Sequence, residues 1–312
     1  RHDWGYVAVV DDMLYGTAVK RGGLYIGADG EWYDKRGPES EKTVSDVLFV
    51  LKPSFSGKTR SQVQLGNERG EGLGNERGER GIVWSYTGGA VLDSTLTVGG
   101  GRVYFIESRN PAIAAWDAGR FGDELNVNRF LVGLDAKTGD KFWEQAYDHA
   151  PAVFVHYLMY ANETLVSVTS SDRWDVYAFD ARDGAFRWER HNPWNRDHHG
   201  GAMQHPAIIG DIVYAEPAMI RLASGDVIRD DVTGRSGCGT VAASANALVF
   251  RDGVHAIWDL KKNRRERWAD LRPGCWLGII PAGGLVLAPE SSAGCWCAGT
   301  PMQTSIAFAM PE

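Results

Sequence analysis

Short apolar runs separated by tight turns recur along the whole chain. Many of these runs come in pairs with a Gly- or Asn-containing turn near the middle, a pattern that is typical of β-hairpins. Six paired runs are present: Tyr6–Tyr15, Ser94–Ile106, Val153–Val168, Pro206–Ala215, Thr240–Phe250 and Trp276–Leu287. No amphipathic helical pattern of about ten or more residues competes with them. The chain is therefore expected to be all-β.

A second pair of predicted strands follows each hairpin and contains a repeated motif. Its two best copies have the same spacing, with Asp135, Gly139 and Trp143 in the first and Asp180, Gly184 and Trp188 in the second. The Asp is expected to accept backbone N–H groups at the start of a turn, and the Gly to take a positive φ. The Trp on the returning strand is then placed to pack on the neighbouring unit.

Weaker copies extend this repeat over the rest of the chain. Asp259 is followed by Asn263 at the Gly position and by Trp268, whereas the copy that ends at Gly225 lacks the Trp. Together with the hairpins they define six units of four strands, at about 1–86, 87–148, 149–192, 193–232, 233–270 and 271–312. Four-stranded antiparallel units with a period in the forties predict a β-propeller.

The Asp-Ala-Lys-Thr-Gly-x-x-x-Trp pattern of residues 135–143 resembles the tryptophan-docking repeat of quinoprotein-like (pyrroloquinoline-quinone-like) β-propellers. The resemblance implies that four tryptophans dock between blades, namely Trp84, Trp143, Trp188 and Trp268. Propellers of that family commonly have seven or eight blades. Six visible units and a start without Met predict that 1–312 is a single propeller domain, or its C-terminal part, with the remaining blades upstream.

Composition supports a folded, turn-rich protein and excludes one class of partner. The chain has 38 Gly and 12 Trp, which the turns and docking positions of the repeat account for. The net charge of −7 argues against nucleic-acid binding, which needs a basic face. No apolar run of about 18 residues is present, so we expect no membrane span in this chain.

Residues 58–80 form a low-complexity insertion in the first unit. Within it, residues 65–72 and 73–80 are a tandem duplication of Leu-Gly-Asn-Glu-Arg-Gly-Glu. The segment is polar and Gly-rich and has no hydrophobic period, which favours a surface loop. A charged loop that docks a partner is the alternative.

Candidate ligand-binding residues follow from aligning the units on their second strands. The aligned positions are Leu14, Val103, Leu165, Ile212, Leu248 and Leu285, and the residues ten positions upstream include Asp93, Cys238 and Cys275. Charged residues at the ends of the second strands add to this set, because loops often carry function. The resulting funnel candidates are Asp93, Arg109, His156, His205, Glu216, Arg251 and Glu290. Ordinary ion pairs between strands are the alternative role for the charged members.

A His-rich segment joins the third and fourth units. His198, His199, Met203 and His205 fall within a few residues of one another and are suitable ligands for a metal such as copper, with calcium also considered. The alternative is a loop whose imidazoles hydrogen-bond to the backbone and line a pocket. No His-Glu-x-x-His spacing is present.

The four cysteines all lie in the last quarter of the chain, at Cys238, Cys275, Cys295 and Cys297. An even count in an oxidising compartment favours structural disulfides, with a metal or reactive-thiol site as the alternative. The chain lacks the vicinal Cys-Cys pair that quinone-dependent dehydrogenases resembling it place beside their cofactor. Bound pyrroloquinoline quinone is therefore not expected.

These features favour a binding module over an enzyme. We expect an exported propeller in the periplasm or outside the cell, similar to propellers that support outer-membrane assembly or bind partner domains. Other domains or subunits of a larger protein are the expected partners, with a small molecule or saccharide as a further ligand. The alternatives are a divergent metal- or quinone-dependent oxidoreductase and a carbohydrate-processing enzyme, both using the central funnel.

Overall fold

A computed structural model shows a protein built almost entirely of β-strands. It describes residues 3–19, 42–52, 81–115, 120–152, 155–171, 173–193, 205–232, 235–236, 239–268, 279–288 and 306–309. The described residues contain one short α-helix, α1 at Pro111–Ala114, which has four residues. Short 3-10 turns lie at Asp93–Thr95 and Asp123–Asn126. Within the described ranges no helix is long and apolar enough to cross a membrane.

The first ten strands form one large sheet. They are β1 Asp3–Val10, β2 Met13–Val19, β3 Lys42–Leu51, β4 Ile82–Tyr86, β5 Ala90–Leu92, β6 Thr97–Gly99, β7 Arg102–Ser108, β8 Arg120–Phe121, β9 Arg129–Asp135 and β10 Lys141–Ala146. Two antiparallel four-stranded sets are recognisable within it, β1–β2–β3–β4 and β6–β7–β9–β10. The first two units predicted from the sequence are therefore both present.

The structure differs from the sequence prediction in joining these two sets. Strand β5 pairs with β3 through Val44 and Leu92, and it pairs with β7 through Val91 and Glu107. Strand β3 is ten residues long, and only its last four residues, Leu48–Leu51, pair with β4. Its first residues therefore offer backbone groups to β5 and β8, which have no place in a plain four-stranded repeat.

The remaining strands form three sheets of four strands and one of three among the described residues. They are β11 His156–Ala161, β12 Thr164–Ser170, β13 Trp174–Asp180 and β14 Phe186–Asn192; β15 Ala207–Ile209, β16 Ile212–Ala215, β17 Ala218–Arg221 and β18 Val227–Arg229; β19 Ala242–Ala243, β20 Ala247–Asp252, β21 Val254–Asp259 and β22 Arg264–Trp268; and β23 Ile280–Ala282, β24 Leu285–Ala288 and β25 Ile306–Ala309. Neighbouring strands in these sheets are antiparallel, and each sheet has its strands in chain order. Successive hairpins of this kind are what the repeat predicts.

The turn between the third and fourth strands of a set has the predicted chemistry. The Asp135 carboxylate accepts the backbone N–H groups of Lys137 and Thr138 at 2.8 and 3.0 Å. Gly139 has a φ of +76°, a conformation that costs a side-chain-bearing residue energy. Asn263 takes the same place with a φ of +50°. The roles assigned to the repeat Asp, Gly and Asn are confirmed.

The hairpin registers correct the alignment of the second strands at two units. Val213 pairs with Ile208, and Val286 pairs with Pro281, as Leu14 pairs with Val9. Each is the second residue after a two-residue turn, so the equivalent positions are Leu14, Val103, Leu165, Val213, Leu248 and Val286. The boundaries of the turns decide this register. The sequence alignment was ambiguous because Ile212 and Leu285, next to the correct positions, are also apolar.

The chain divides into two compact units, and each has its own apolar core. Residues 1–160 with 181–185 form unit 1, and residues 161–180 with 186–312 form unit 2. In unit 1, Leu48, Val50, Val103, Phe105 and Val132 share one cluster and are all fully buried. In unit 2, two clusters hold the sheets together, one around Leu248, Phe250 and Trp258 and another around Val249, Ile257 and Val286.

Candidate functional site

Three of the tryptophans that the repeat marks as docking residues lie against turn glycines. The Trp84 indole Nε1 donates to the carbonyl oxygen of Ala136 at 3.0 Å, and its ring lies 2.6 Å from where a Cβ on Gly139 would be. The same two contacts recur for Trp143 with Ala181 and Gly184, and for Trp188 with Leu222 and Gly225. Each Trp thus ties the last strand of one set to a turn of the next.

An arginine stands where the next tryptophan would be. Arg229 follows Gly225 by four residues, the same spacing that separates Trp143 from Gly139. Its guanidinium donates to the Asn263 side chain and lies 5.5 Å from the centroid of the Trp258 ring. Arg229 therefore contacts the Asn that replaces the turn glycine of the following sheet, so a polar contact substitutes for the indole.

The fourth predicted docking residue, Trp268, has different surroundings in the described part of the chain. It is half-buried beside the cluster of Ala247 and Val249, and its ring centroid lies 6.3 Å from that of His255. It follows Asn263 by five residues instead of four, and its strand pairs with β21 without a register shift. A docking role for Trp268 stays a prediction.

Asp93 is a buried carboxylate at the start of the 3-10 turn between β5 and β6. The Thr17 hydroxyl donates to its Oδ1 at 2.8 Å, whereas its Oδ2 has no hydrogen-bond partner among the described residues. Oδ2 lies close to Gly5, where an added Cβ would be 2.3 Å away. Burial raises the pKa of Asp93 to about 6, although the Thr17 and Ser45 hydroxyls oppose the shift. The group therefore exchanges a proton near neutral pH.

Arg109 belongs to an ion-pair network at the end of β7. Its Nε donates to the Glu107 carboxylate at 2.7 Å, and its Nη2 donates to Glu144 at 2.6 Å. The Tyr86 hydroxyl donates to the same Glu107 at 3.0 Å. Burial raises the pKa of Glu107, whereas Arg109 and Lys141 lower that of Glu144 to about 2. This network joins β4, β7 and β10, and the two carboxylates neutralise the charge of Arg109.

His156 is fully buried at the start of β11. Its main-chain carbonyl accepts a hydrogen bond from the Ser94 hydroxyl at 2.7 Å, which places it beside the turn that carries Asp93. Its ring centroid lies 5.2 Å from that of Tyr147. Two of the funnel candidates, Asp93 and His156, are thus brought to one turn of unit 1.

Glu216 and Arg251 converge on a short segment of unit 2. The Glu216 carboxylate accepts the backbone N–H of Arg235 at 3.1 Å and its Nε at 3.2 Å. The Arg235 side chain is fully buried, and its Nη1 donates to the carbonyl of Gly239. The carbonyl of Arg251 accepts the N–H of Ser236 at 3.0 Å. The strand-end carboxylate is therefore occupied by an arginine that holds the local backbone.

Arg129, Arg235 and Asp175 are buried charged residues that were not sequence candidates. Asp175 accepts from Arg173 Nε at 2.8 Å and lies 2.6 Å from His191 Nδ1. A sequence signal for Asp175 was available, because it interrupts the apolar run formed by Trp174 and residues 176–179. The two arginines carry no such signal, since their burial depends on carbonyl groups and carboxylates that local sequence does not identify.

Several predicted site residues lie outside the described residues. They are His198, His199, Met203, Glu290, Cys238, Cys275, Cys295 and Cys297, together with the insertion at 58–80. His205 is described: its Nδ1 lies 2.6 Å from the carbonyl oxygen of Pro206, and burial lowers its pKa. The metal and disulfide hypotheses stay predictions.

Each described candidate is positioned by contacts within its own unit. Among the residues that the structure describes, no three His, Cys, Asp or Glu side chains lie close enough to hold a metal ion. His156 lies beside the turn that carries Asp93, and Arg109 pairs with Glu107. Glu216 and Arg251 flank Arg235–Ser236, and His205 contacts the carbonyl of Pro206. Their observed chemistry is the neutralisation and hydrogen bonding of strand ends within the sheets.

Almost wholly β secondary structure, four-stranded antiparallel sheets in chain order and the Trp-to-turn contacts define the class: a β-propeller with four-stranded blades. A family model described as outer membrane protein assembly factor BamB matches residues 56–300. The chain belongs to this family. The predicted fold class and the resemblance to pyrroloquinoline-quinone-like repeats are confirmed, and the blade count stays a prediction.

Solved structures agree with this fold. The crystal structure of BamB from Moraxella catarrhalis superposes with a TM-score of 0.53 at 13% identity, covering 97% of this chain and 69% of that chain. Two computationally designed proteins also match. Ika4 has a TM-score of 0.36 at 13% identity, covering 56% of this chain and 94% of that chain. Ika8 has a TM-score of 0.37 at 10% identity, covering 99% of this chain and 96% of that chain. Both TM-scores are below 0.5, so these two matches carry no argument about the fold. No curated protein sequence matches the chain.

Proposed function

We propose that this chain is an exported β-propeller scaffold of the cell envelope that binds protein partners during the assembly of outer-membrane proteins. The observation that carries the proposal is the family match over residues 56–300, whose description is an outer membrane protein assembly factor. A propeller fold by itself hosts many functions, so the role comes from the family and not from the fold.

Exposed apolar residues on the outer strands support a partner-binding role. Phe142 on β10 and Phe186 on β14 are 58% and 52% exposed, and Val227 and Ile228 on β18 are 47% and 43% exposed. Each of these strands is the last in its sheet or set, so one of its edges has no strand partner in that sheet. A strand edge with apolar side chains is suited to bind another protein.

The charged candidates favour a scaffold over a carbohydrate-processing enzyme. An acid–base mechanism needs carboxylates that reach a substrate. Glu107 is fully buried and bonded to Tyr86 and Arg109, and Glu216 is occupied by Arg235. These contacts stabilise the ends of strands, so no described carboxylate pair supports sugar hydrolysis.

Site-specific photocrosslinking tests partner binding. A photoreactive amino acid is placed at Phe186, with a matched position at the exposed turn residue Glu163 as control, and cells of the source organism are irradiated. We expect one defined protein adduct at Phe186, identified by mass spectrometry as a component of outer-membrane protein assembly, and none at Glu163. Equal labelling at both positions, or no adduct at Phe186, Phe142 and Val227, would contradict the proposal.

Cell fractionation tests the location separately. We expect the protein in the envelope fraction, protected from protease in intact cells and digested after the outer membrane is permeabilised. Recovery in the cytosolic fraction would rule out the proposed location. The crosslinking result still reports on partner binding in that case, so the two parts of the proposal fail independently.

A further inference from the structure

A buried carboxylate and an exposed imidazole meet on the paired strands β13 and β14, within unit 2. Asp175 of β13 is directly opposite His191 of β14, and Tyr177 is directly opposite Glu189. Directly paired residues project from the same face of a sheet, so these four side chains are neighbours. The Asp175 side chain is 2% exposed, whereas those of His191 and Glu189 are 37% and 52% exposed.

The contact with Asp175 sets the tautomer of the imidazole. His191 Nδ1 lies 2.6 Å from Asp175 Oδ1, and Arg173 Nε donates to the same oxygen at 2.8 Å. An ionised carboxylate only accepts hydrogen bonds, so Nδ1 carries a proton and the neutral ring has its lone pair on Nε2. The Tyr177 ring lies against the imidazole in an edge contact, with the centroids 6.4 Å apart. The carboxylate and the tyrosine together hold the His191 ring in one orientation.

The distance between Nε2 of His191 and Glu189 fits two ligands of one metal ion. Nε2 lies 3.8 Å from Glu189 Oε1, which is too long for a hydrogen bond. Nitrogen and oxygen ligands each lie about 2.0–2.2 Å from a zinc ion, so atoms up to roughly 4 Å apart can share it. Because the Glu189 side chain is half exposed, a small rotation brings the two atoms to the tetrahedral spacing of about 3.4 Å.

The charge and the ligand types at this place favour a zinc-like cation. Asp175 and Glu189 supply two negative charges against one positive charge on Arg173, and a neutral imidazole adds none. Imidazole is a preferred ligand of zinc, copper and nickel, whereas magnesium and calcium take oxygen ligands. A carboxylate that accepts the other ring N–H is the usual outer partner of a metal-binding histidine, because it fixes the tautomer and raises the basicity of the ligand.

We propose that His191 Nε2 and the Glu189 carboxylate bind a divalent zinc-like ion, with Asp175 as the positioning residue that orients the imidazole. Two protein ligands leave the remaining positions of a four-coordinate ion to water. This set is smaller than the groups of three metal-binding side chains, which do not occur among the described residues. The ion is therefore expected to exchange with solvent. The site is separate from the His-rich segment at 198–205 and does not depend on the proposed function.

Nuclear magnetic resonance of the histidine rings tests this site in the whole chain. A local signal is needed because the eight histidines and four cysteines offer zinc other places to bind. Long-range ¹H–¹⁵N spectra are recorded in mildly alkaline buffer, and the His191 signals are those missing from His191→Gln. Zinc is added stepwise to the parent, to Glu189→Gln and to the control Glu163→Gln. Both glutamates are exposed, and Glu163 lies in a turn, so neither change removes a buried contact.

Before zinc is added, we expect the His191 proton on Nδ1. Submillimolar zinc should then shift the Nε2 signal of His191 to a plateau in the parent and in Glu163→Gln. Glu189→Gln should raise the zinc concentration at half-saturation by about tenfold or more, since even the loss of an outer-shell partner has an effect of that size. Magnesium should leave the His191 signals unchanged, because it prefers oxygen ligands.

Several results would overturn the inference. A proton on Nε2 in the zinc-free protein would remove the lone pair that the ion needs. His191 signals that stay in place while other histidines respond would put the zinc elsewhere in the chain. Equal half-saturation in Glu189→Gln and the parent would exclude the carboxylate as a ligand, and an equal shift with magnesium would mean charge screening. In each case Asp175, His191 and Glu189 form a surface ion-pair network only.

Discussion

The indole ring of Trp188 lies so close to Gly225 that a Cβ atom on this glycine would be 2.6 Å from Cδ2 of the ring. The Nε1 of the same indole donates to the carbonyl oxygen of Leu222 at 2.9 Å. A tryptophan of one sheet and a glycine turn of the next are therefore two halves of one contact. The Asp-x-x-x-Gly-x-x-x-Trp repeat encodes both halves, because the turns at Gly139 and Gly184 each receive one tryptophan and are each followed by the next.

Adding one methyl group at Gly225 tests this contact. Gly225→Ala must both hold a φ of +74° and displace the Trp188 ring, so we expect a loss of about 3 kcal/mol or more in the free energy of unfolding. Gly210→Ala is the matched control, since Gly210 has a φ of +61° and open space around the added Cβ. Urea unfolding should show a loss of about 1 kcal/mol for the control. Equal losses would mean that the indole contact contributes nothing.

Replacing the two residues that occupy the docking position should have unequal effects. Trp188 is buried, and Trp188→Ala should cost about 3–5 kcal/mol through the lost ring and the lost hydrogen bond. Arg229 stands at the equivalent position, but its side chain is 27% exposed and makes polar contacts in place of a packed ring, so Arg229→Ala should cost far less. Thermal unfolding of both variants measures the difference. A large loss for Arg229→Ala would show that its contact with Asn263 matters as much as the indole does.

Asp93 should make the stability of the protein depend on pH in an unusual direction. Its pKa in the folded state is about 6, above the value of 3.8 that the free side chain has, so the folded protein binds this proton more tightly. The contribution of Asp93 to stability is therefore present at acid pH and is lost as the pH rises through 6. Asp93→Asn should stabilise the protein by about 2–3 kcal/mol at pH near 7.5, and by little at pH near 4.

Denaturant unfolding of Asp93→Asn and the parent protein between these pH values measures that effect. Asp135→Asn is the control with the opposite sign. Backbone N–H groups of Lys137 and Thr138 lower the pKa of Asp135, so its stabilisation is present at neutral pH and is lost as the pH falls. Parallel pH curves for Asp93→Asn and the parent would show that burial of this carboxylate has no energetic consequence.

The ion-pair network at the end of β7 should depend mostly on its buried member. Glu107 is 0% exposed and binds both Tyr86 and Arg109, so Glu107→Ala should cost about 2–4 kcal/mol by leaving buried polar groups without a partner. Glu144 is 30% exposed, and Glu144→Ala should cost less than about 1 kcal/mol. Chemical unfolding of both variants distinguishes them. Similar losses would assign the stabilisation to the surface half of the network.

Much of the fold was accessible from the sequence, and the same was not true of the candidate site. The paired apolar runs correctly predicted the hairpins, because a tight turn between two strands leaves a local signature. Asp93, Glu107 and Arg235 show the opposite case. Their roles depend on burial and on partners, such as the Thr17 hydroxyl that donates to Asp93 across 76 positions of the chain. No spacing rule within a repeat contains that information.

The sequence by itself determined the repeat: the Asp135 turn, the positive φ of Gly139 and Asn263, and the tryptophans Trp143 and Trp188 four residues after their turn glycines. These features are local, since their hydrogen bonds and backbone angles lie within a few residues of each other. Only the tertiary structure decided that β5 joins the first two sets of strands, that Arg229 contacts Asn263 of the following sheet, and that Val9 is 65% exposed. Each of these depends on which distant surface fills the space beside a residue, and packing between sheets settles that only in the folded chain.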